Sequence, residues 1–307
     1  MRYFFRSIYF VFVGAALHGA AFVVDASEGA SDSQPLAILA PEDVIEDYHR
    51  FIGARDPLTI EDYSGPHARR DVVELVLVQQ VSLLRVRQLQ LGGCERPVKW
   101  VPTRLYKNSI VELRSGRHVL NGTSVWERDV VSQAAHLYAS DLLLDEGQFV
   151  VGFYAAASNR RALSAKSLED LRELVAASNR HWYPDWKTLN ALGFEDMRDV
   201  RSWETLVLLL AGERADFTLA PFNASQGMKI EHGDCTLLPI PNLKTSLPGK
   251  RVWMVSKKHP EGEVIFGHLQ VGLAKLSEQG RVERAYTDCG FLNAAVKDWQ
   301  LLVPDSE

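Results

Sequence analysis

Strand-like and helix-like segments alternate along most of this chain, and the alternation constrains the fold more than any other feature of the sequence. At 71–87, for example, Val72, Leu75 and Val76 fall on one face of a helix. The predicted elements of this first part are a helix at 71–87, a strand at 99–103, a helix at 105–114, a strand at 118–125 and a helix at 127–138. Such alternation is typical of an α/β fold.

A second alternating unit follows the apolar strand predicted at 149–154. Ser167, with Asp170 three residues later, predicts a capped helix start. The predicted elements of this unit are a helix from Ser167 to about 173, strands at 174–177, 197–200 and 215–220, and helices at 184–193 and 203–211. After it come a strand at 251–256, a helix at 264–276 and helical patterns to Leu302.

The second unit is predicted to be inserted into the first. Extended segments near 149–156 and 249–257 would connect them, which predicts two lobes, a hinge and a cleft. The predicted organisation is lobe 1 at 41–150, lobe 2 at 151–249, and a return to lobe 1 with C-terminal helices at 250–307. Since ligands of open α/β sheets bind beyond the carboxyl ends of strands, the loops after strands are the candidate site.

The N-terminal segment predicts export from the cytoplasm. Arg2 and Arg6 precede an apolar run at 8–24, and small residues end it at Val24-Asp25-Ala26. This pattern is typical of a signal peptide at 1–26, followed by a flexible linker at 27–40 and a periplasmic protein. The alternative is an uncleaved anchor, for which the run is short.

The cysteine content leaves two alternatives open. In an oxidising compartment one pair among Cys94, Cys235 and Cys289 could form a disulfide, or all three could be buried thiols. No CxxC motif is present to indicate a zinc or redox site.

Several classes of function are disfavoured by what the sequence lacks. A formal net charge of −5 argues against nucleic-acid binding. The chain has no GxSxG, Walker or GxGxxG motif, and its 9 histidines include no HxxxH pair. We therefore expect no enzyme, no metal and no cofactor.

The first candidate binding segment lies between the strand at 118–125 and the following helix. It contains Thr123, Trp126 and Arg128, a hydroxyl, an aromatic ring and a guanidinium. A cation beside the free N–H groups of a helix start favours an anion. The alternative is a surface Arg128 paired with Glu127 or Asp129.

The second candidate segment is aromatic. Asn179, His181 and Trp182 follow the strand at 174–177, and their neighbours favour stacking on a ligand. Trp186, one helical turn beyond Trp182, is instead expected to pack the helix onto its sheet. Three further candidates are Phe222 and Asn223, just past the strand at 215–220, and Tyr154 on the connecting strand. The alternative for Phe222 and Asn223 is an ordinary turn, and the alternative for Tyr154 is packing in the core.

These segments resemble the type 2 periplasmic solute-binding proteins, in particular the amino-acid-binding family 3. The resemblance rests on Thr123 to Arg128, the strand at 149–154, Ser167-Leu168-Glu169-Asp170-Leu171, and the segments 212–217 and 252–256. It implies that Thr123 and Arg128 bind a ligand carboxylate. Val125 stands where the family has a second hydroxyl residue, and Pro221 where it has an Asp that holds the ligand ammonium. These departures count against an α-amino acid.

The expected function is that of an exported monomer that binds a small polar or anionic solute for a membrane transporter or a sensor. A second hypothesis is a sensory or protein-interaction scaffold that has lost its solute. A third is an enzyme on the same fold, with His181 or Asp185 as the acid or base. Turnover of a bound ligand would identify the enzyme, and a stable protein partner without a solute would identify the scaffold.

Overall fold

The computed structural model describes residues 35–88, 97–104 and 106–304. The predicted signal segment at 1–26 and Cys94 lie outside the described residues. Within the described ranges, no helix combines the length and the apolar character needed to cross a lipid bilayer.

The chain begins with a unit that we call lobe 1. Its elements in this first part are β1 (Leu36–Pro41), α1 (Glu42–Ile52), α2 (Arg70–Gln88), β2 (Val98–Thr103), α3 (Tyr106–Ser115), β3 (Leu120–Asn121), β4 (Val125–Trp126), α4 (Glu127–Val131) and β5 (Leu137–Ala139). The helix predicted at 71–87 and the strand predicted at 99–103 are confirmed by α2 and β2.

The next part of the chain forms lobe 2. Its elements are β6 (Val150–Ala156), α5 (Arg160–Leu163), α6 (Leu168–Arg172), β7 (Ala176–Ser178), α7 (Tyr183–Ala191), β8 (Met197–Asp199), α8 (Trp203–Ala211), β9 (Thr218–Pro221), β10 (Ile230–His232) and β11 (Cys235–Ser246). Ser167 and Ser202 cap α6 and α8 by accepting bonds from Asp170 N and Thr205 N. The cap of α6 is the one predicted from the sequence.

The chain then returns to lobe 1. The remaining elements are β12 (Arg251–Val252), β13 (Met254–Ser256), α9 (Gly262–Glu278), α10 (Arg281–Asp288) and β14 (Gln300–Leu302). The five-stranded sheet of lobe 1 has the order β2-β1-β3-β13-β5, with β1, β2 and β3 parallel. The sheet of lobe 2 has the order β10-β11-β6-β9, with β7 and β8 paired beside it.

The apolar side chains in the first part of α2, from Val72 to Val81, are buried on every side of the helix. Val72, Val73, Leu75 and Val76 are all 0% exposed, because α1, α9 and α10 pack around this part of the helix. Together with Ile38 of β1 they belong to a large buried cluster that extends into lobe 2.

Four predicted elements differ from the structure. The linker predicted at 27–40 is wrong for 36–40, which belong to β1, an interior strand of the lobe 1 sheet. The strand predicted at 118–125 is divided into β3 and β4, and the helix predicted at 127–138 ends at Val131 because Leu137 pairs with β13. At the C-terminus, Gln300–Leu302 form a strand instead of a helix because they pair with β11.

The second connection between the lobes also differs from the prediction. It is β11, which pairs with β6 from Leu237–Ala156 to Ser246–Val150 and was missed by the sequence analysis. The segment at 249–257 is part of lobe 1, where β12 pairs with β4 and β13 with β3. The two strands are interrupted at Trp253, whose indole Nε1 donates to Gly122 O at 3.0 Å.

Candidate functional site

A pocket lies at the carboxyl ends of the three parallel strands of lobe 1. These strands end at Pro41, Thr103 and Asn121, and in open α/β sheets ligands bind at such an edge. The pocket encloses about 320 Å³, solvent at its mouth included. Its lining residues are Pro41, Thr103, Arg104, Tyr106, Ser109, Asn121 and Thr123.

Asn121 lines this pocket and carries a buried, unused hydrogen-bond acceptor. Its Nδ2 donates to Thr123 O at 2.7 Å and to Thr123 Oγ1 at 3.0 Å. A carbonyl can only accept, so the amide orientation is fixed. The other amide atom, Oδ1, is buried and has no partner in the described structure, although the residue is only 3% exposed. A buried acceptor of this kind favours a ligand that brings a donor.

Tyr106 connects the pocket to the segment that contains Trp126. Its hydroxyl donates to Asp129 Oδ2 at 2.8 Å and accepts from Trp126 N at 3.1 Å. Burial raises the pKa of Tyr106, so the hydroxyl stays protonated at neutral pH.

Behind Trp126 lies a buried polar cluster built around Ser124. Glu74 Oε2 accepts from Ser124 N at 2.6 Å, and Glu74 Oε1 accepts from Ser124 Oγ at 2.8 Å and from Tyr286 OH at 2.9 Å. Arg70 donates from Nη1 to Glu74 Oε1 at 2.8 Å and to Ser124 Oγ at 2.9 Å. Arg251 donates from Nε to Ser124 Oγ at 3.0 Å and from Nη2 to Ser124 O. The two guanidinium groups therefore meet at one hydroxyl.

Arg251 lies against two aromatic rings, whose centres are only 5.2 Å from each other. Its guanidinium carbon lies 4.6 Å from the centre of the Trp126 ring and 5.6 Å from that of Phe149. Burial and the neighbouring charge of Arg70 lower the pKa of Arg251.

Asp185 lies at the start of α7 in lobe 2. Burial raises the pKa of its carboxyl to about 7, against the smaller opposing effects of a backbone hydrogen bond and of the Arg251 charge.

Two side-chain contacts join the lobes beside the candidate segments, in addition to the contacts of the C-terminal segment with β11. The guanidinium carbon of Arg128 lies 3.8 Å from the centre of the Tyr183 ring, and Lys107 Nζ lies 3.4 Å from His181 Nδ1. The Arg128 side chain is 55% exposed and also pairs with Asp129 at 3.7 Å. This agrees with the alternative given by the sequence, a surface Arg128 paired with a neighbouring carboxylate. Arg128 thus contacts the other lobe and is turned away from the buried cluster.

The loop before α7 is held in place by the hydrogen bonds of Asn179. Asn179 Oδ1 accepts from His181 N at 2.7 Å, and its Nδ2 donates to Arg201 O at 3.2 Å. Asn179 is therefore buried and held by hydrogen bonds within lobe 2. His181 is exposed, and Trp182 packs against the core of lobe 2.

Three of the predicted site residues have structural roles. Tyr154 and Phe222 are 0% and 3% exposed and pack in the core of lobe 2, so they do not line the pocket. Asn223 is held in its turn, since its Nδ2 donates to Met228 O and Lys229 O, and its own carbonyl accepts from Asn293 Nδ2. Tyr154 and Phe222 are buried because β6 and the end of β9 direct these side chains into the layer between the sheet and the helices.

The described cysteines are not bridged to each other. Cys235 is a partly buried thiol and Cys289 a buried one. Metal binding has no support in the described ranges either, where no group of three His, Cys, Asp or Glu side chains is placed to hold an ion.

Arg251, Glu74 and Tyr106 were missed as site residues. The only local signal was a charged residue at the edge of the apolar strand at 251–256. From the sequence, Asp185 is a candidate only for the acid or base of an enzyme, and the burial that raises its pKa arises from tertiary packing.

Comparisons with known proteins place the fold. No protein-family model matches the chain, and no curated protein matches its sequence. The periplasmic VFT2 domain of Bordetella pertussis BvgS superposes with a TM-score of 0.51 at 12% identity, covering 81% of this chain and 91% of that domain. The BvgS periplasmic domain gives a TM-score of 0.50 at 13% identity, covering 81% of this chain and 42% of the other.

A third solved structure has the same arrangement. The Bacillus subtilis protein ytmK, described as a probable amino-acid ABC transporter extracellular-binding protein, has a TM-score of 0.50 at 8% identity. The match covers 83% of this chain and 97% of ytmK. At such identities the likeness establishes architecture alone. The prediction from the sequence is confirmed at that level: the chain has the α/β, two-lobed fold of type 2 periplasmic binding domains.

Proposed function

We propose that this protein is an exported solute-binding protein, which captures a small polar or anionic solute between its lobes for a transporter or a sensor. The observation that carries the proposal is the pocket at the carboxyl ends of β1, β2 and β3, which is lined by Asn121, a residue whose buried Oδ1 is unpaired. Tyr106, Thr123 and Ser109 add polar groups to the same pocket. The fold shared with a probable amino-acid ABC transporter extracellular-binding protein supports this function.

Closure of the lobes over the solute needs no catalytic step. Arg128 and Lys107 of lobe 1 already meet Tyr183 and His181 of lobe 2 beside the pocket. A solute that contacts both lobes would stabilise this arrangement by its differential affinity for the closed state. The protein acts as a monomer in this proposal, and export through the segment at 1–26 places it in the periplasm.

The test is a thermal-shift screen of the purified protein against sugars, polyols, amino acids, organic acids and nucleotides. A ligand present at 100 times its Kd should stabilise the protein by about 2.7 kcal/mol. Asn121→Ala should weaken the hit by roughly 2- to 10-fold, the effect of one lost neutral hydrogen bond.

Asn190→Ala is the matched control, because Asn190 is an exposed amide on α7 that bonds only Trp186 O at 2.8 Å. It should leave affinity unchanged. A blank across the whole panel would contradict the proposal and favour the scaffold hypothesis, and turnover of a bound compound would favour the enzyme.

A further inference from the structure

The pocket at the carboxyl ends of β1, β2 and β3 carries almost no charge. Among the described residues that line it, Arg104 is the one charged side chain. Arg104 is 87% exposed and lies 3.7 Å from Glu42, which is also exposed. Because solvent screens an exposed pair of this kind, Arg104 contributes little to the binding of a charged solute.

Three further arginines of lobe 1 are engaged away from this pocket. Arg70 and Arg251 are balanced in their buried cluster by Glu74 and Asp71, and none of the four lines the pocket. Arg128 does not line it either and is stacked on an aromatic ring of lobe 2. An anion in the pocket would therefore lose its hydration without meeting a buried cation among the described residues.

The buried polar groups of the pocket are uncharged and include both donors and acceptors. The Ser109 hydroxyl donates to Tyr106 O at 2.7 Å, so its lone pairs remain to accept. The Thr123 hydroxyl oxygen accepts from Asn121 Nδ2 at 3.0 Å, and its hydrogen has no acceptor among the described residues. Asn121 adds its buried, unpaired Oδ1. Since the hydroxyl of Tyr106 is already bonded twice, Tyr106 contributes its ring and no free polar group.

A solute that suits this set must both donate and accept hydrogen bonds. A carboxylate or a phosphate only accepts, so it would face the acceptors of Ser109 and Asn121 without a proton to share. An ammonium only donates, so it would leave the Thr123 hydrogen without a partner. A hydroxyl group does both, and it carries no charge that the pocket would have to compensate.

We propose that this pocket binds the hydroxyl groups of an uncharged polyol or sugar, and that it takes neither a carboxylate nor an ammonium. The inference rests on the proposed function and names the class of solute for it. The volume of about 320 Å³ is at the lower end of the range of ligand pockets, about 300–1,000 Å³, which favours a small member of this class.

The experiment measures binding to the wild-type protein by titration calorimetry for unbranched solutes of equal carbon number. The four-carbon set is erythritol, succinate and putrescine, and the five-carbon set is xylitol, ribitol, ribose, xylose, glutarate and cadaverine. We expect at least one polyol or sugar to bind at least about 10-fold more tightly than the diacid and the diamine of its length. Calorimetry is needed because polyols at high concentration stabilise any protein through their exclusion from its surface, which shifts thermal unfolding without binding.

Variants of Thr123 test the assigned hydroxyl. Thr123→Val keeps nearly the same side-chain shape and should weaken the best polyol or sugar roughly 2- to 10-fold, the effect of one lost neutral hydrogen bond. Thr123→Ser keeps the hydroxyl and should bind nearly as wild type, which separates the bond from packing. Thr287→Val is the matched control, because the exposed Thr287 hydroxyl on α10 donates to Glu283 O at 2.9 Å, and it should leave affinity unchanged.

The inference is overturned if a diacid or a diamine binds as tightly as any polyol or sugar, or if no polyol or sugar binds. In either case an acid, an amine or an amino acid that binds in the wider screen leaves the proposed function standing. Equal affinity of Thr123→Val and wild type also overturns the inference, since the solute would then lie elsewhere. If no compound of the wider screen binds, both proposals fail.

Discussion

The guanidinium carbon of Arg128 lies 3.8 Å from the centre of the Tyr183 ring, a contact between the first turn of α4 in lobe 1 and that of α7 in lobe 2. Nearby, Lys107 Nζ approaches His181 Nδ1 to 3.4 Å. Both contacts are on the rim of the cleft, where the side chains of Arg128 and Tyr183 are partly exposed. We expect this rim to bias the lobes toward the closed arrangement before any solute binds.

Removal of the Tyr183 ring should favour the open arrangement. A partly exposed cation–π contact stabilises by about 0.5–1 kcal/mol, so Tyr183→Ala should lower the closed-to-open ratio by roughly 2- to 5-fold. Single-molecule fluorescence transfer between labels on the two lobes measures this ratio. Tyr183→Phe keeps a ring over Arg128 and should behave nearly as wild type. Equal ratios in both variants would show that the contact does not contribute to closure.

Asp185 should make stability depend on pH. Its carboxyl has a pKa of about 7 in the folded protein against 3.8 for the unfolded reference. Between these values the folded state retains a proton that the unfolded state has lost, so the free energy of unfolding falls as pH rises from 3.8 to 7. Asp185→Asn removes this loss and should be more stable than wild type at pH 8, by on the order of 2–4 kcal/mol.

Urea unfolding of both proteins at pH 4.5, 6 and 8 tests this prediction. Other groups titrate equally in the two chains, so the difference between them isolates Asp185. We expect the difference to shrink toward pH 4.5, and a constant difference across the series would contradict the prediction.

Glu74 should contribute more to stability than any carboxylate on the surface of lobe 1. Its side chain is 0% exposed and accepts bonds from Ser124, Arg70 and Tyr286. Breaking a buried pair of this kind costs about 3–5 kcal/mol, which is the expected effect of Glu74→Gln in urea unfolding. The control is Glu112→Gln, which breaks a partly exposed pair with Arg117 and should cost about 1 kcal/mol or less. Similar losses in the two variants would argue against the buried cluster.

Gly290 should be intolerant of any side chain. Its φ is +76°, and a Cβ placed there would lie 2.2 Å from Ala224 N and 2.3 Å from Asn223 C. Gly280 has a similar φ of +66° but nothing within 4 Å of its Cβ position. Gly280→Ala should therefore cost only the left-handed strain, about 1–2 kcal/mol, while Gly290→Ala should cost clearly more because the backbone of the 223–225 turn must move. Thermal unfolding of the pair checks the order, and equal costs would mean that the turn adjusts freely.

The candidate site was only partly predictable. Thr123 and Trp126 do lie beside the pocket, because they follow a strand of lobe 1 at its carboxyl end. The same rule predicts Phe222 in the site, and Tyr154 is predicted there from its place on the connecting strand. Both are core residues, since a position along a strand does not specify which face the side chain takes. The resemblance to family 3 pointed to Arg128, which the structure turns toward the other lobe.

The sequence by itself determined the local elements and the fold class. Helical periodicity at α2, the serine caps of α6 and α8, and the alternation of elements are properties of neighbouring residues, and they are decided within one or two turns of chain.

Only the tertiary structure decided which strand connects the lobes and which arginine is buried. Arg251 bonds to Ser124 across 127 positions of sequence, and β11 is recognised as a connection through its pairing with β6. The burial of Arg251 is produced by long-range packing, which leaves no periodic trace in the chain.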